Sequence, residues 1–198
     1  MNWCLTATYY LLGNTVKFTN KQNLPIGRPI IFIANHQSLY DIPVLIWFLR
    51  KYHAKFISKI ELTKGTPSVS YNLRHGGGAN IDRKDPRQSI MELAKLGTRM
   101  RDNKWSCVIF PEGTRSKDGI VRVFQSAGVA AILKKCPDAL IVPVAINNSW
   151  KMVRCGYFPM GTFIAMSWEV LTPIEPAGKS ADDVVKETES AIKQKLGQ

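Results

Sequence analysis

The sequence predicts a single α/β domain with a mostly parallel or mixed central sheet flanked by helices. Three observations carry that expectation. Short apolar runs rich in β-branched residues, such as Ile30–Ala34 and Ala139–Ile146, have the length and composition of buried strands. Segments with helical spacing of apolar residues lie between such runs, and strands alternating with helices favour a parallel sheet covered on both faces. A length of 198 residues suffices for one domain with a sizeable core, and 45% apolar residues is the fraction of a globular chain.

The elements follow in order. Residues 1–16 are aromatic and apolar but hold Asn2, Thr6, Thr8, Asn14 and Thr15. Lys17 ends the stretch short of the ~20 apolar residues that a membrane-spanning helix needs. It has neither a basic leading region nor a small-residue cleavage site, so a signal peptide is not expected. Trp3, Tyr9 and Tyr10 suit a membrane interface or internal packing equally. Residues 17–27 are polar and read as a loop, which makes 1–27 an N-terminal segment ahead of a domain spanning 28–198. Ile30–Ala34 is the first strand of that domain. Asp41 is a good helix N-cap, and Pro43 suits the first turn of the helix that follows. Residues 55–58 read as a second strand and 68–74 as a short helix stopped by Gly76-Gly77-Gly78. Residues 79–83 read as a third strand. Asp85 and Pro86 open a helix that Ile90, Leu93, Gly97 and Met100 continue. Residues 105–110 read as a buried strand ended by Pro111, 112–122 as a loop rich in Gly and charge, and 126–135 as an Ala-rich helix. Residues 139–146 form another strand, 152–160 are irregular, and 162–170 are a late strand carrying Trp168. In the final helix, 180–196, Ser180 with Asp183 mimics a capping box, and Val184, Ile192 and Leu196 mark the buried side.

The net charge of +12 implies an anionic partner: nucleic acid, a phospholipid surface or a phosphorylated small molecule. Lys and Arg are spread through the sequence and no motif of a nucleic-acid module is visible, so nucleic acid is not the expected partner. Cys4, Cys107, Cys136 and Cys155 are scattered, without metal-site spacing. No metal is expected, and the thiols read as reduced in a cytosol-facing protein. Cys107 lies in an apolar run and reads as core unless a His faces it.

The residues with most chemistry follow the first strand. Asn35-His36-Gln37-Ser38-Leu39-Tyr40-Asp41 delivers a His at a strand's carboxyl end, where α/β sheets form their sites. An imidazole can take a proton from a hydroxyl, and a carboxylate on its other ring nitrogen fixes the tautomer. The same pair also suits a hydrogen-bonded strand end with Asp41 merely capping a helix. Ser38 reads as a support of the turn. Pro111-Glu112-Gly113-Thr114-Arg115-Ser116 repeats the strand-end geometry. Gly113 permits close approach of a ligand or a left-handed turn, and Arg115 offers a fork of donors that matches a phosphate. An ordinary turn with a solvated ion pair is the plainer alternative. Asp82-Arg83-Lys84-Asp85 is a mixed charge cluster at another strand end. His75-Gly76-Gly77-Gly78 has the look of the oxyanion loop of lipases and esterases, but the Gly-x-Ser-x-Gly elbow of that fold is missing. Pro143 cannot donate to a sheet ladder, which points to an edge or bulge.

Four blocks in order, Asn35–Asp41, Gly78–Arg83, Phe110–Ser116 and Ile141–Ile146, resemble the 1-acyl-sn-glycerol-3-phosphate acyltransferase (lysophospholipid acyltransferase) family over about Arg28 to Glu169. The resemblance implies a glycerol-3-phosphate acyltransferase-like fold. It makes His36 the general base that activates the free hydroxyl of a lysophospholipid, by default 1-acyl-sn-glycerol-3-phosphate giving phosphatidic acid, and Asp41 the residue that orients it. The hydroxyl attacks the acyl thioester of acyl-CoA or acyl-carrier protein directly, since no Ser or Cys has the setting of an activated nucleophile. Glu112, Gly113 and Arg115 are implied to hold the acceptor phosphate, with Arg83 as a second cation. Lys59, in Lys59-Ile60-Glu61-Leu62, which resembles a family Lys-x-Glu-Leu segment, is a third. Val142, Pro143 and Gly78 are implied to shape the acyl or donor wall. Asn80 stands where the family usually has a bulky residue, and Phe124-Gln125-Ser126-Ala127-Gly128 replaces its Phe-Lys-x-Gly. No cofactor is expected beyond the thioester co-substrate. The expected setting is the cytoplasmic face of an anionic membrane, as a peripheral or monotopic protein. Two rival readings make distinct demands. A basic nucleic-acid-binding protein requires salt-sensitive oligonucleotide binding, and a Ser or Cys hydrolase requires a trappable acyl intermediate.

Overall fold

Every residue of β2 (Ile30–Ala34) is fully buried, and the molecule is layered about it. The computed structural model describes residues 2–65, 67–156 and 158–198. The side chains of residues 2–5, 8 and 67–69, Trp3 and Cys4 among them, lie outside the described set. The elements run α1 (Asn2–Leu11), β1 (Thr15–Asn20), β2, α2 (Asp41–Phe48), β3 (Ala54–Lys59), α3 (Pro67–His75), β4 (Ala79–Ile81), α4 (Pro86–Asn103), β5 (Ser106–Ile109), α5 (Ala127–Leu133), β6 (Leu140–Asn147), β7 (Ala165–Val170) and α6 (Ala181–Leu196).

The strands form one mixed sheet in the order β1-β7-β6-β2-β5-β3-β4. β6, β2, β5, β3 and β4 are parallel, so their carboxyl ends share one edge. β7 runs antiparallel to β6, and β1 runs parallel to β7. Successive side chains on a strand face opposite ways. Ile31 and Ile33 therefore join the layer with Leu96, Ile132 and Val184 from α4, α5 and α6. Ile30, Phe32 and Ala34 join the layer with Val44 and Leu45 from α2 and Trp168 from β7. This is the α/β sandwich that the alternation of apolar runs predicts.

Local signals set two helix starts. The Asp85 side chain accepts Gln88 N–H at 3.0 Å, with Pro86 in the first turn. Ser180 Oγ accepts Asp183 N–H at 3.1 Å. Asp41 departs from its expected capping role. The residue preceding α2 is Tyr40, without a side-chain cap, and Asp41 is the first helical residue.

Residues 17–20, expected as loop, belong to β1, which pairs with β7 along all six of its residues. Only Val16 and Phe18 alternate with polar neighbours there. That pattern is too short to stand out, and the strand forms because Phe18 stacks on Phe48 of α2 with ring centroids 4.4 Å apart. The segment 1–27 thus supplies α1 and one edge of the sheet. β6 is a central strand, so Pro143 does not mark an edge. Pro143 C=O accepts Leu171 N–H at 2.9 Å, and Ile141 bridges Ile174, so the chain between Leu171 and Ile174 bulges away where the proline lacks a donor.

Candidate active site

His36 lies two residues beyond β2, at the carboxyl edge of the parallel strands. Its Nδ1 donates to Asp41 Oδ2 at 2.9 Å. The carboxylate only accepts, so Nδ1 carries the proton and Nε2 is left as an acceptor. Nε2 has no protein partner among the described residues. The imidazole stacks on Phe110 with centroids 4.1 Å apart and planes 19° from parallel, and its side chain is 13% exposed. One ring edge is thus fixed by an acid and one face by an aromatic ring.

Asp41 is fully buried, and four donors hold its carboxylate. Oδ2 also accepts the backbone N–H groups of Gln37 at 2.8 Å and Ser38 at 2.9 Å, and Oδ1 accepts Ser149 Oγ–H at 2.5 Å. Ser38 supports the turn, since its Oγ accepts Tyr40 N–H at 3.2 Å. Asn35 holds the turn from the other side. Its amide exchanges two hydrogen bonds with the backbone of Ile146, at 2.7 and 2.9 Å, in the manner of one more strand residue.

The loop after β5 docks on the same turn. Ser116 N–H donates to His36 C=O at 2.7 Å. Glu112 is only 8% exposed. Its Oε1 accepts His36 N–H at 2.8 Å and its Oε2 accepts Arg122 N–H at 3.2 Å. Burial pushes its carboxyl up from the usual range, against the lowering pull of those hydrogen bonds. Glu112 therefore braces His36 rather than facing an acceptor, which corrects the role expected for it. Gly113 turns the loop at φ +66, with its N–H taken by Phe110 C=O at 3.1 Å. Arg115 is exposed on this loop, one residue from the contact with His36.

The other expected residues divide by position. Lys59 ends β3 and Arg83 follows β4, both on the carboxyl edge. Lys59 pairs with Glu61 at 2.8 Å. Arg83 is exposed and three inter-strand spacings from β2, about 14 Å in lateral distance. Val142 and Pro143 are buried mid-strand between β2 and β7 and present no surface to a ligand, contrary to their expected place in an acyl wall. Gly78 precedes β4 at the opposite edge of the sheet. A side chain there would collide with Phe56 C=O, and one at Gly77 would meet the Trp105 ring, which also carries Lys55 Nζ at 4.1 Å from its centroid. The glycines thus serve backbone packing, and neither an oxyanion loop nor an acyl wall. Cys107 is fully buried, and desolvation raises its thiol above the usual range, so it is a core residue.

Sequence reasoning missed Ser149, Gln37 and Phe110 as members of the site. Gln37 Oε1 accepts Ser149 N–H at 3.1 Å while its Nε2 donates to Gly119 C=O at 3.3 Å, joining the loops after β2, β5 and β6. Phe110 stood within a matching block. Ser149 follows the last block in a polar stretch with no signal of its own.

An α/β sheet with an acid-aimed imidazole at its carboxyl edge is an arrangement for base-assisted group transfer. The chain belongs to the acyltransferase family, whose model, described as Acyltransferase, matches residues 15–147. It is 32% identical over 142 residues to the chloroplastic 1-acyl-sn-glycerol-3-phosphate acyltransferase BAT2 of Brassica napus, covering 68% of this chain and 38% of that protein. It is 29% identical over 187 residues to 1-acyl-sn-glycerol-3-phosphate acyltransferase beta of Homo sapiens, covering 93% of this chain and 64% of that protein. The chain therefore spans less than two thirds of the length of either relative. The crystal structure of the 1-acyl-sn-glycerophosphate (LPA) acyltransferase PlsC of Thermotoga maritima superposes with a TM-score of 0.76 at 27% identity, covering 99% of this chain and 76% of that one.

Proposed function

We propose that this protein transfers a fatty acyl group from an acyl thioester, acyl-CoA or acyl-carrier protein, to the free hydroxyl of 1-acyl-sn-glycerol-3-phosphate, giving phosphatidic acid. The observation that carries the reading is the His36 Nδ1–Asp41 Oδ2 contact of 2.9 Å, on a turn that the Arg115 loop joins through Ser116 N–H and His36 C=O. Nε2 takes the hydroxyl proton as the oxygen attacks the thioester carbon. Asp41 offsets the positive charge that develops on the ring. The C–S bond breaks and the imidazolium returns its proton to the departing thiolate. Arg115 holds the phosphate, with Arg83 and Lys59 adding positive potential further along the edge. The names of the relatives support this acceptor. No cofactor other than the thioester enters the scheme.

The reading extends to an anionic membrane surface on the cytoplasmic side. No described helix is long and apolar enough to cross a membrane. Leu11, Phe158 and Phe163 are each at least 85% exposed. Asn14 laces their segments together through Gly161 C=O and Ile164 N–H. Met160 of that segment meets Tyr40, beside Asp41, at 3.7 Å. An apolar face adjoining the site on a protein of charge +12 suits a lipid surface, and the free thiols Cys107, Cys136 and Cys155 suit a reducing compartment. The test is a panel of lysophospholipid acceptors offered with each donor to purified protein and read by lipid mass spectrometry. Phosphatidic acid formed only from lysophosphatidic acid is the expected result. Turnover of another acceptor alone overturns the substrate assignment, and oligonucleotide binding without transfer overturns the class.

A further inference from the structure

We propose that Ser149 is a positioning residue for proton transfer at His36, acting through Asp41; the inference rests on the acyl-transfer reading above. Ser149 is fully buried. Asn148, in the left-handed conformation at φ +66, turns the chain after β6 so that Ser149 meets the His36 turn. Its hydroxyl oxygen lies 2.5 Å from Asp41 Oδ1 and 3.3 Å from Gln37 Oε1, so its single proton goes to the carboxylate. Gln37 fixes the serine in turn by accepting its N–H at 3.1 Å.

The three donors on Oδ2 would not alone fix Asp41. Ser149 gives Oδ1 a donor, and without it that oxygen would be a buried carboxylate oxygen facing none of the groups that hold Oδ2. The carboxylate would then gain by turning about its Cβ–Cγ bond to share its donors between both oxygens. Such a turn draws Oδ2 away from Nδ1 and loosens the tautomer that leaves Nε2 as the base. Ser149 thus acts on the reacting nitrogen without touching substrate. Because it lies in the loop after β6, it couples the base to a strand on the far side of β2 from Glu112 and Arg115.

Four measurements test this on the purified full chain. Ser149→Ala should lower kcat about 10-fold with KM for both substrates within about twofold, since the serine is not in the acceptor or donor contact. In an Asp41→Asn background the same change should cost nothing further, because the group it acts through is already lost. In protein labelled with nitrogen-15 at histidine, the His36 signals, assigned with a His36→Ala sample, should leave the Nδ1–H pattern in Ser149→Ala. Ser149→Cys keeps the packing with a weaker donor and should show the same kcat loss with an unchanged melting temperature. Wild-type kcat in Ser149→Cys, additive losses in the cycle, or an unaltered imidazole spectrum each overturn the proposal. If the wild-type protein transfers no acyl group, the functional reading fails, and the imidazole spectrum still decides the role of Ser149.

Discussion

The main-chain N–H of His36 donates to Glu112 Oε1 at 2.8 Å, so the residue carrying the imidazole is braced by an acid arriving from the neighbouring strand. The other carboxylate oxygen takes Arg122 N–H, and one side chain fixes two loops. Glu112→Gln keeps the size but offers one acceptor to two donors. It should destabilise the protein by about 1–3 kcal/mol in urea unfolding, the cost of one buried unpaired amide. An unchanged midpoint would show that the brace is not needed.

On the proposed mechanism, His36→Ala removes the group that accepts the hydroxyl proton. Acyl transfer should fall by about 10²–10⁴-fold at saturating substrate, the span that general base catalysis supplies. The melting temperature should hold, because the ring lies at the rim of the fold and its loss opens no central cavity. Near-wild-type turnover would remove His36 from the mechanism.

Arg115 and Arg83 should separate kinetically. Arg115 sits one residue from the Ser116–His36 contact, so Arg115→Ala should raise KM for the lysophospholipid about 10–100-fold with little change in kcat, the value of a charge-assisted hydrogen bond. Arg83 lies several strands away and acts through solvent, so Arg83→Ala should cost no more than about fivefold. Equal effects would place the phosphate between the two.

Gly78→Ala tests the reassignment of the glycine turn. The new methyl meets Phe56 C=O, a backbone atom with no room to retreat, so the melting temperature should drop while the preference for acyl-chain length stays as in wild type. A changed chain-length profile at unchanged stability would return Gly78 to the acyl wall.

Arg28 and Glu175 form a two-pronged pair at 2.8 and 2.6 Å, and Arg28 lowers the Glu175 carboxyl below its usual range. A lowered carboxylate stabilises the fold above its ordinary titration range, and that contribution is lost as pH falls through the lowered value. The Arg28 side chain is about a third exposed and that of Glu175 more than half, so Arg28→Met should cost under about 1 kcal/mol at pH 7. The difference from wild type should vanish once pH has fallen below the lowered Glu175 range, where the carboxyl is protonated in both. A pH-independent difference would assign the loss to the Arg28–Asp138 backbone contact instead.

What the sequence revealed was local. The apolar run Ile30–Ala34, the caps Asp85 and Ser180, and the His36–Asp41 turn all declare themselves within a few residues, and each is found where expected. β1 escaped because its two inward residues gain their partners only from α2 and β7. Glu112 looked like a ligand-facing acid because nothing nearby in sequence shows that its donors are the His36 and Arg122 amides. Gly78 sat in a motif next to a candidate cation, but the short strand β4 separates them, and a strand carries its two ends to opposite edges. Ser149 needed the β6–β2 register to bring it to Asp41.

The sheet order has one more consequence. The imidazole and its acid ride on a single turn, whereas Arg115, Lys59 and Arg83 arrive on three separate connections. The connections after β3 and β4, which carry Lys59 and Arg83, can thus vary without disturbing the His36–Asp41 contact, whereas the connection carrying Arg115 is tied to that turn through Glu112 and Ser116.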